Sequence, residues 1–177
     1  MTHFKESPVY TAAFFSTGIT VNPLDVIGIL ASSLSRVAIH KVEIGLQSSA
    51  APVGEDVGVL FLRGSTASST GAAITPKNVD GFAHKASAGS SVTSPSSILV
   101  STASAELVYA TNWHAQDDTF VYEPREWQDR LRLEASQRLH VRITGLQLQS
   151  SPAIYATLTF SEIGNVPTYT VSPTAKS

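Results

Sequence analysis

The histidines and acidic residues of the chain are the side chains that could bind a metal ion. The chain has five histidines and no cysteine, so a thiolate nucleophile and a cysteine-ligated zinc site are excluded. A cupin-type metal site needs His-x-His with a carboxylate on an adjacent strand, and no His-x-His occurs. The segment "HAQDD", with His114, Asp117 and Asp118, is the only local group of ligand types, and a solvated turn explains it better. We therefore predict no metal and no cofactor.

Catalysis by a serine nucleophile or by paired carboxylates also lacks a sequence signature. No Gly-x-Ser-x-Gly turn surrounds any serine, and "GSTASSTG" lacks the lysine and the following helix of a phosphate-binding loop. A glycosidase needs two carboxylates facing each other across a cleft. Exposed acids on strand faces are the simpler interpretation of the candidates Glu106, Glu126, Glu134 and Glu162. The sequence predicts no catalytic residue and a protein that is not an enzyme.

Apolar residues alternate with a period of two along most of the chain, which predicts β-strands. In "VGVLFLR", Val57, Val59 and Phe61 share one face. In "RVAIHKVEIGLQ" the apolar phase changes near His40 and Lys41, which predicts a β-bulge. The β-branched "VIGIL" of 26–30 favours a strand over a helix, and "PREWQDRL" is compatible with one helical turn.

The clearest strands lie in "RLRLEASQRLHVRITGLQLQ". Its leucines, valine and isoleucine alternate with polar residues, and "EASQ" between the two runs predicts a hairpin or near-hairpin. The polar partners, expected on the solvent face of these strands, are Arg130, Arg132, His140 and Arg142.

Eight or so strands separated by Gly, Ser and Pro clusters, with no βαβ spacing, predict an all-β fold. We expect an antiparallel, jelly-roll-like β-sandwich over 9–163, with an N-terminal arm at 1–8 and a C-terminal arm at 164–177. The connection over 64–97 is long enough to contain small strands of its own or a low-charge contact surface. The alternating tail between Pro167 and Pro173 could add a strand to a neighbour's sheet.

The charge balance disfavours two classes of partner. The net charge of −2 provides no basic face for phosphates, so no nucleic acid is expected. The segment 1–15 lacks a signal-peptide pattern. No apolar run approaches the ~20 residues that span a bilayer, so no membrane is expected either.

The order of four segments resembles that of small virion proteins of tailed bacteriophages. The segments are "HKVEIGLQSS", "VGVLFLRGSTASSTGAAITPKNVD", "EPREWQDRLRLEASQRLHVRITGLQ" and "AIYATLTFSEIG". In such proteins a basic residue ends a strand before a Pro-containing loop rich in Thr, Gly and Ala, and a late strand ends in an acidic residue. Arg63 and Glu162 occupy these positions here, with Glu126 and Trp127 between them.

The resemblance implies a capsid decoration (cement) protein: a jelly-roll subunit, often trimeric, on the outer capsid surface of the virion. Its partners would be the major capsid protein and further copies of itself, after synthesis in the host cytoplasm. Such a protein stabilises a shell by binding the assembled form better than its free parts. The residues we expect at its interfaces are Phe4, Tyr10, Trp113, Trp127, Val166, Tyr169 and Val171.

Three alternatives remain open. A tail, baseplate or head-fibre component would share most of these features. A glycan-binding module would use an aromatic platform drawn from Trp113, Trp127, Tyr109 and Tyr122. A cupin-like or hydrolytic enzyme is the third alternative.

Overall fold

The computed structural model describes residues 8–17, 23–47, 56–64, 71–79, 88–95, 104–114, 119–145 and 153–164. Over these residues the chain forms twelve strands and one turn of 3-10 helix, η1 (Trp127–Asp129). The strands are β1 (Val9–Ser16), β2 (Leu24–Leu30), β3 (Ser35–Gln47), β4 (Asp56–Gly64), β5 (Ala73–Ile74), β6 (Lys77–Asn78), β7 (Ser91–Thr93), β8 (Glu106–His114), β9 (Phe120–Tyr122), β10 (Arg132–Leu133), β11 (Arg138–Thr144) and β12 (Ala153–Gly164).

The strands form two antiparallel sheets that pack face to face. The first sheet has the order β10-β3-β12-β1-β6, with β9 also paired to β3. The second sheet has the order β5-β7-β2-β11-β4-β8. The prediction of an all-β antiparallel sandwich is confirmed.

The chain passes repeatedly between the two sheets, except that β4 and β8 are neighbours in the second sheet. The strands β1, β3, β9, β10 and β12 belong to the first sheet, whereas β2, β4, β8 and β11 belong to the second. In space β12 lies between β1 and β3, and β11 lies between β2 and β4. This nesting of the last two long strands between the earlier ones is the connectivity of a jelly roll, which joins two Greek keys.

The core lies between the sheets and is built from the alternating residues. Val57, Val59 and Phe61 of β4 are fully buried. On β3 the bulge falls at His40, because Thr159 pairs with Lys41 and Phe160 pairs with Ile39. The extra residue shifts the alternation of side chains by one position. The apolar residues before and after the bulge therefore all face the core. The predicted bulge is confirmed.

Small strands in the long connection after β4 extend both sheets at one edge. Residues Lys77 and Asn78 pair with β1 of the first sheet. Ala73 and Ile74 pair with β7, which in turn pairs with β2 of the second sheet. The described part of this connection therefore covers two long strands that would otherwise be open edges.

The strands β10 and β11 do not form the predicted hairpin. β10 pairs with β3 in the first sheet, and β11 lies between β2 and β4 in the second. The turn between them has Ser136 at φ 63°, and the Gln137 N–H donates to the Glu134 carbonyl at 3.0 Å. The chain therefore crosses from the first sheet to the second at this turn. The prediction failed because the alternation of residues along a strand does not determine which strand it pairs with.

The prediction that His140 and Arg142 face solvent is wrong. They are 3% and 4% exposed, whereas Arg132 is exposed and Arg130 is half-buried. The Arg142 guanidinium donates to both carboxylate oxygens of Asp25 on β2, from Nε at 2.6 Å and from Nη2 at 3.2 Å. A polar residue on an outer strand face reaches water only where nothing covers that face, and here the face is covered.

Both predicted arms fall on residues outside the described part of the chain, apart from Pro8 and Gly164. Among the described residues no helix has the length and apolar character needed to cross a membrane.

Candidate contact surface at the edge of the sandwich

An aromatic cluster closes the edge of the sandwich where β8 of one sheet meets β9 of the other. The Phe61 ring lies 5.1 Å from Tyr109 and 5.0 Å from Tyr122, and these two tyrosines are 5.2 Å apart. Phe120 and Trp113 continue the cluster: the Phe120 ring centre lies 6.3 Å from that of Phe61 and 6.4 Å from that of Trp113. Burial raises the pKa of the Tyr122 hydroxyl. This packed base supports the segment that follows β9.

That segment carries Trp127 to the surface. η1 is a single turn with no buried residue and no side-chain cap, so nothing draws the indole into the core, and Trp127 is 65% exposed. The Arg132 guanidinium lies over the indole, 4.6 Å from its centre. A cation over an indole face is attracted by the ring electrons, which holds the two side chains together at the surface.

Arg63 connects this pair to the second sheet. Its guanidinium donates to the Glu106 carboxylate from Nε at 3.0 Å and from Nη2 at 2.6 Å. Its Nη1 also donates to the Arg132 carbonyl at 3.4 Å. Leu107, which is 55% exposed, adds apolar surface beside them. We call these five residues, Arg63, Glu106, Leu107, Trp127 and Arg132, the Trp127 surface.

The Trp127 surface borders an open hollow of about 560 Å³, lined by Arg63, Glu106, Leu107 and Arg132 together with residues of β9 and 128–131. Two residues of the sequence resemblance, Arg63 and Trp127, therefore come together through Arg132. Leu107 and Arg132 were not expected at a site. Alternation along the strand placed Arg132 on the solvent face. Nothing in the sequence indicated that β8 and β10 meet at one edge.

The other residues expected at interfaces lie elsewhere. Tyr10 is 3% exposed and stacks on Phe160 at 5.6 Å, and Trp113 is 7% exposed. Both side chains pack within the single chain, because each lies on the inward face of its strand, and they leave little surface for a neighbour. The remaining four, Phe4, Val166, Tyr169 and Val171, are outside the described residues.

Glu162 lies away from the Trp127 surface and has a local structural role. Its carboxylate accepts hydrogen bonds from the backbone N–H groups of Gly89, at 3.2 Å, and Ser90, at 2.6 Å. It thereby ties β12 of the first sheet to the chain entering β7 of the second. Its negative charge also adds to the effect of burial in raising the pKa of Tyr10.

Several of the residues considered for metal binding or catalysis are engaged in local contacts. His114 Nδ1 lies 3.3 Å from Asp56 Oδ1, and Asp117 and Asp118 are outside the described residues. Glu134 pairs with Arg36 at 2.6 Å. In the described ranges no three His, Asp or Glu side chains are grouped closely enough to hold a metal ion.

A second apolar area lies on the outer face of the first sheet. Phe15 of β1 and Tyr155 of β12 are cross-strand partners and are both exposed. The Tyr155 ring covers Gly45 of β3, where a Cβ would meet it at 1.8 Å, and its hydroxyl lies 2.8 Å from the Thr119 hydroxyl. The glycine therefore makes room for the ring to lie flat across the neighbouring strand.

The chain matches no family model, no curated protein and no solved structure. The fold is therefore assigned from its strand order, and what the protein binds has to be inferred from its surface.

Proposed function

We propose that this protein is a structural component of a phage virion, a capsid decoration protein that binds the assembled head and bridges neighbouring capsid subunits. The all-β sandwich is compatible with this role. The resemblance in segment order supports it, since Arg63 and Trp127, two residues of that resemblance, lie at one surface. The partners are the major capsid protein and further copies of the chain, as a homotrimer on the outer surface of the head.

The observation that carries the proposal is the exposed pair of Trp127 and Arg132. Tryptophan and arginine are the residues most enriched among those that dominate protein–protein affinity. An aromatic side chain buries roughly 150–250 Å² when fully covered. Because Trp127 is 65% exposed, a partner could cover roughly 100–160 Å² of it, which corresponds to about 2.5–4 kcal/mol before ordering costs.

Binding to capsids that lack the protein tests the proposal. The purified protein is mixed with such capsids, and the bound fraction is measured by sedimentation over a range of concentrations. We expect wild type to bind saturably and Trp127→Ala to bind about thirtyfold more weakly, which corresponds to about 2 kcal/mol. Leu34→Ala is the matched control, because Leu34 is 78% exposed and lies outside the Trp127 surface.

Either of two results would contradict the proposal. Wild type could fail to bind capsids and bind purified tails instead, which would indicate that the protein is a component of a tail or baseplate. Trp127→Ala could bind as well as Leu34→Ala, which would remove the Trp127 surface from the interface. Light scattering on the free protein measures the oligomeric state, for which we expect a trimer.

Glycan binding is the second candidate, and the exposure of Trp127 favours it. An indole on a β-sandwich surface can stack on the apolar face of a sugar. Trp113 does not contribute to such a platform, because it is buried. A glycan array probed with wild type and Trp127→Ala tests this function: hits that disappear in the variant would support it, and an array without hits would exclude it.

A further inference from the structure

A second hollow lies beside the Trp127 surface, where the bulge of β3 meets the segment after β9. It has a volume of about 420 Å³ and is lined by His40, Glu123, Pro124, Arg125 and Arg130. No residue of this hollow entered the sequence-based site predictions as a binding residue. Three of its five residues carry, or can acquire, a positive charge.

The bulge at His40 gives this imidazole its position. His40 is the extra residue between two regular pairs of β3 and β12, and it is half-buried at the hollow. Its Nε2 lies 2.8 Å from the Ser161 hydroxyl. Its Nδ1 has no hydrogen-bond partner in the part of the chain that the structure describes.

The two arginines of the hollow lack the carboxylates that arginine usually finds. Within the described ranges, neither Arg125 nor Arg130 has a carboxylate oxygen within 4 Å. The Nε of Arg130 is enclosed and has no acceptor, although buried donors are nearly always paired. By contrast Arg36, Arg63 and Arg142 each hold a carboxylate at 2.6 Å.

The charges around the hollow suit one particular anion. Arg125 and Arg130 contribute two positive charges, and Glu123 contributes one negative charge, which it shares with Lys41 at 3.7 Å. Burial, followed by the charge of Arg130, lowers the pKa of His40, so the imidazole is neutral at pH 7. The remaining single positive charge complements a carboxylate better than a phosphate dianion, and the planar guanidinium fits a carboxylate in a two-point contact.

We infer that the hollow formed by His40, Arg125 and Arg130 is a binding site for a carboxylate group. The carboxylate is either that of a small acid or the side chain of an acidic residue on a partner protein, and both would be recognised by the same guanidinium and imidazole donors. This inference goes beyond the proposed function and does not depend on it.

Titration of the isolated protein followed by NMR tests the inference. The His40 C2–H signal, assigned with His40→Gln, is followed at constant ionic strength as chloride is replaced by acetate. A second titration uses a capped tripeptide with one glutamate, and its glutamine counterpart is the control. We expect saturable movement of the His40 signal with acetate or with the glutamate peptide, and none with the glutamine peptide.

Two arginine variants and one control identify the donors. We expect Arg130→Gln to weaken binding about tenfold or more, since a charge-assisted hydrogen bond is lost. Arg125→Gln should also weaken carboxylate binding. This second variant keeps the test possible if Arg130→Gln does not fold. Arg138→Gln should bind like wild type, because Arg138 lies on β11 and lines neither hollow.

The relative strength of the ligands separates the sources of the carboxylate. A glutamate peptide that binds more tightly than acetate identifies an acidic side chain of a partner, and the reverse order identifies a small acid. Three results would overturn the inference: a signal that does not move with either carboxylate, inorganic phosphate binding more tightly than both, or Arg138→Gln weakening binding as much as Arg130→Gln. Capsids are absent from these experiments, so their outcome is separable from that of the decoration test.

Discussion

The buried ion pair between Arg142 and Asp25 gives the sharpest test of the fold. Arg142→Met keeps a long side chain on β11 but removes its charge, leaving the Asp25 carboxylate without its guanidinium. The two side chains are only 5% and 2% exposed, so water cannot replace the lost contacts. Removing one partner of such a pair costs about 3–5 kcal/mol in free energy of unfolding. For a chain of this size that corresponds to a fall in Tm of roughly 6–20 °C.

An ion pair on the surface provides the comparison for the buried pair. Arg36 and Glu134 have the same N–O distance of 2.6 Å, but their side chains are 56% and 59% exposed. Arg36→Met should therefore cost less than about 1 kcal/mol. The double variant Asp25→Leu with Arg142→Met should recover most of the loss, because apolar residues replace both charges together.

Urea unfolding measures all three variants, with tryptophan fluorescence as the signal, because Trp113 is buried in the folded protein. A midpoint that falls at constant m-value reports a loss of stability. Equal losses for Arg142→Met and Arg36→Met would refute the reasoning, since only the first pair is buried and joined by two hydrogen bonds. A double variant that remains as unstable as Arg142→Met would refute the assignment of the loss to a buried carboxylate that has lost its guanidinium.

Three further predictions concern individual contacts. Because the pKa of folded His40 lies below the unfolded value of 6.5, the neutral imidazole stabilises the fold above about pH 6.5, and this contribution is lost as the pH falls through the folded pKa. His40→Gln should reduce the fall in the free energy of unfolding between about pH 6.5 and the folded pKa. An unchanged pH dependence in this variant would contradict the assignment to His40. Glu162→Gln should cost about 1–2 kcal/mol, because an amide cannot accept from both N–H groups as a carboxylate does; hydrogen exchange at Ser90 should rise with it, and unaltered exchange would argue against the tie. Gly45→Ala should cost about 1 kcal/mol by displacing the Tyr155 ring, and in a Tyr155→Ala background the same change should be nearly neutral; equal costs in both backgrounds would show that the ring is not the obstacle.

The strands were predictable because their signal is local. Alternation along β4 identified its inward residues, and the change of phase near His40 identified a bulge, since one extra residue reverses every later side chain. The short run of β2 was also recognised as a strand, because its β-branched residues pack poorly in a helix. These inferences need only the chain's own period.

The partners and exposures were not predictable, because they depend on distant segments. The sequence around Ser136 is equally compatible with a hairpin turn and with a crossing between the two sheets. Polar residues of β11 read as solvent-facing, yet Arg142 is buried against Asp25, more than a hundred residues away in sequence. Of the two tryptophans, Trp113 belongs to the core and Trp127 to the surface, and an indole suits both places. The Trp127 surface joins β4, β8 and β10, so only the fold brings it together.

The position of β1 next to β12 has a mechanical consequence. Val9 pairs with Ser161, so the chain enters β1 and leaves β12 at the same end of the sheet. A force applied between these two points would separate β1 from β12 one hydrogen bond at a time. It would not load all the hydrogen bonds of the pair at once. A tether through both ends would therefore yield at low force, and pulling experiments should show early peeling of β1. A firm attachment to a larger assembly would have to transmit its load through the body of the sandwich.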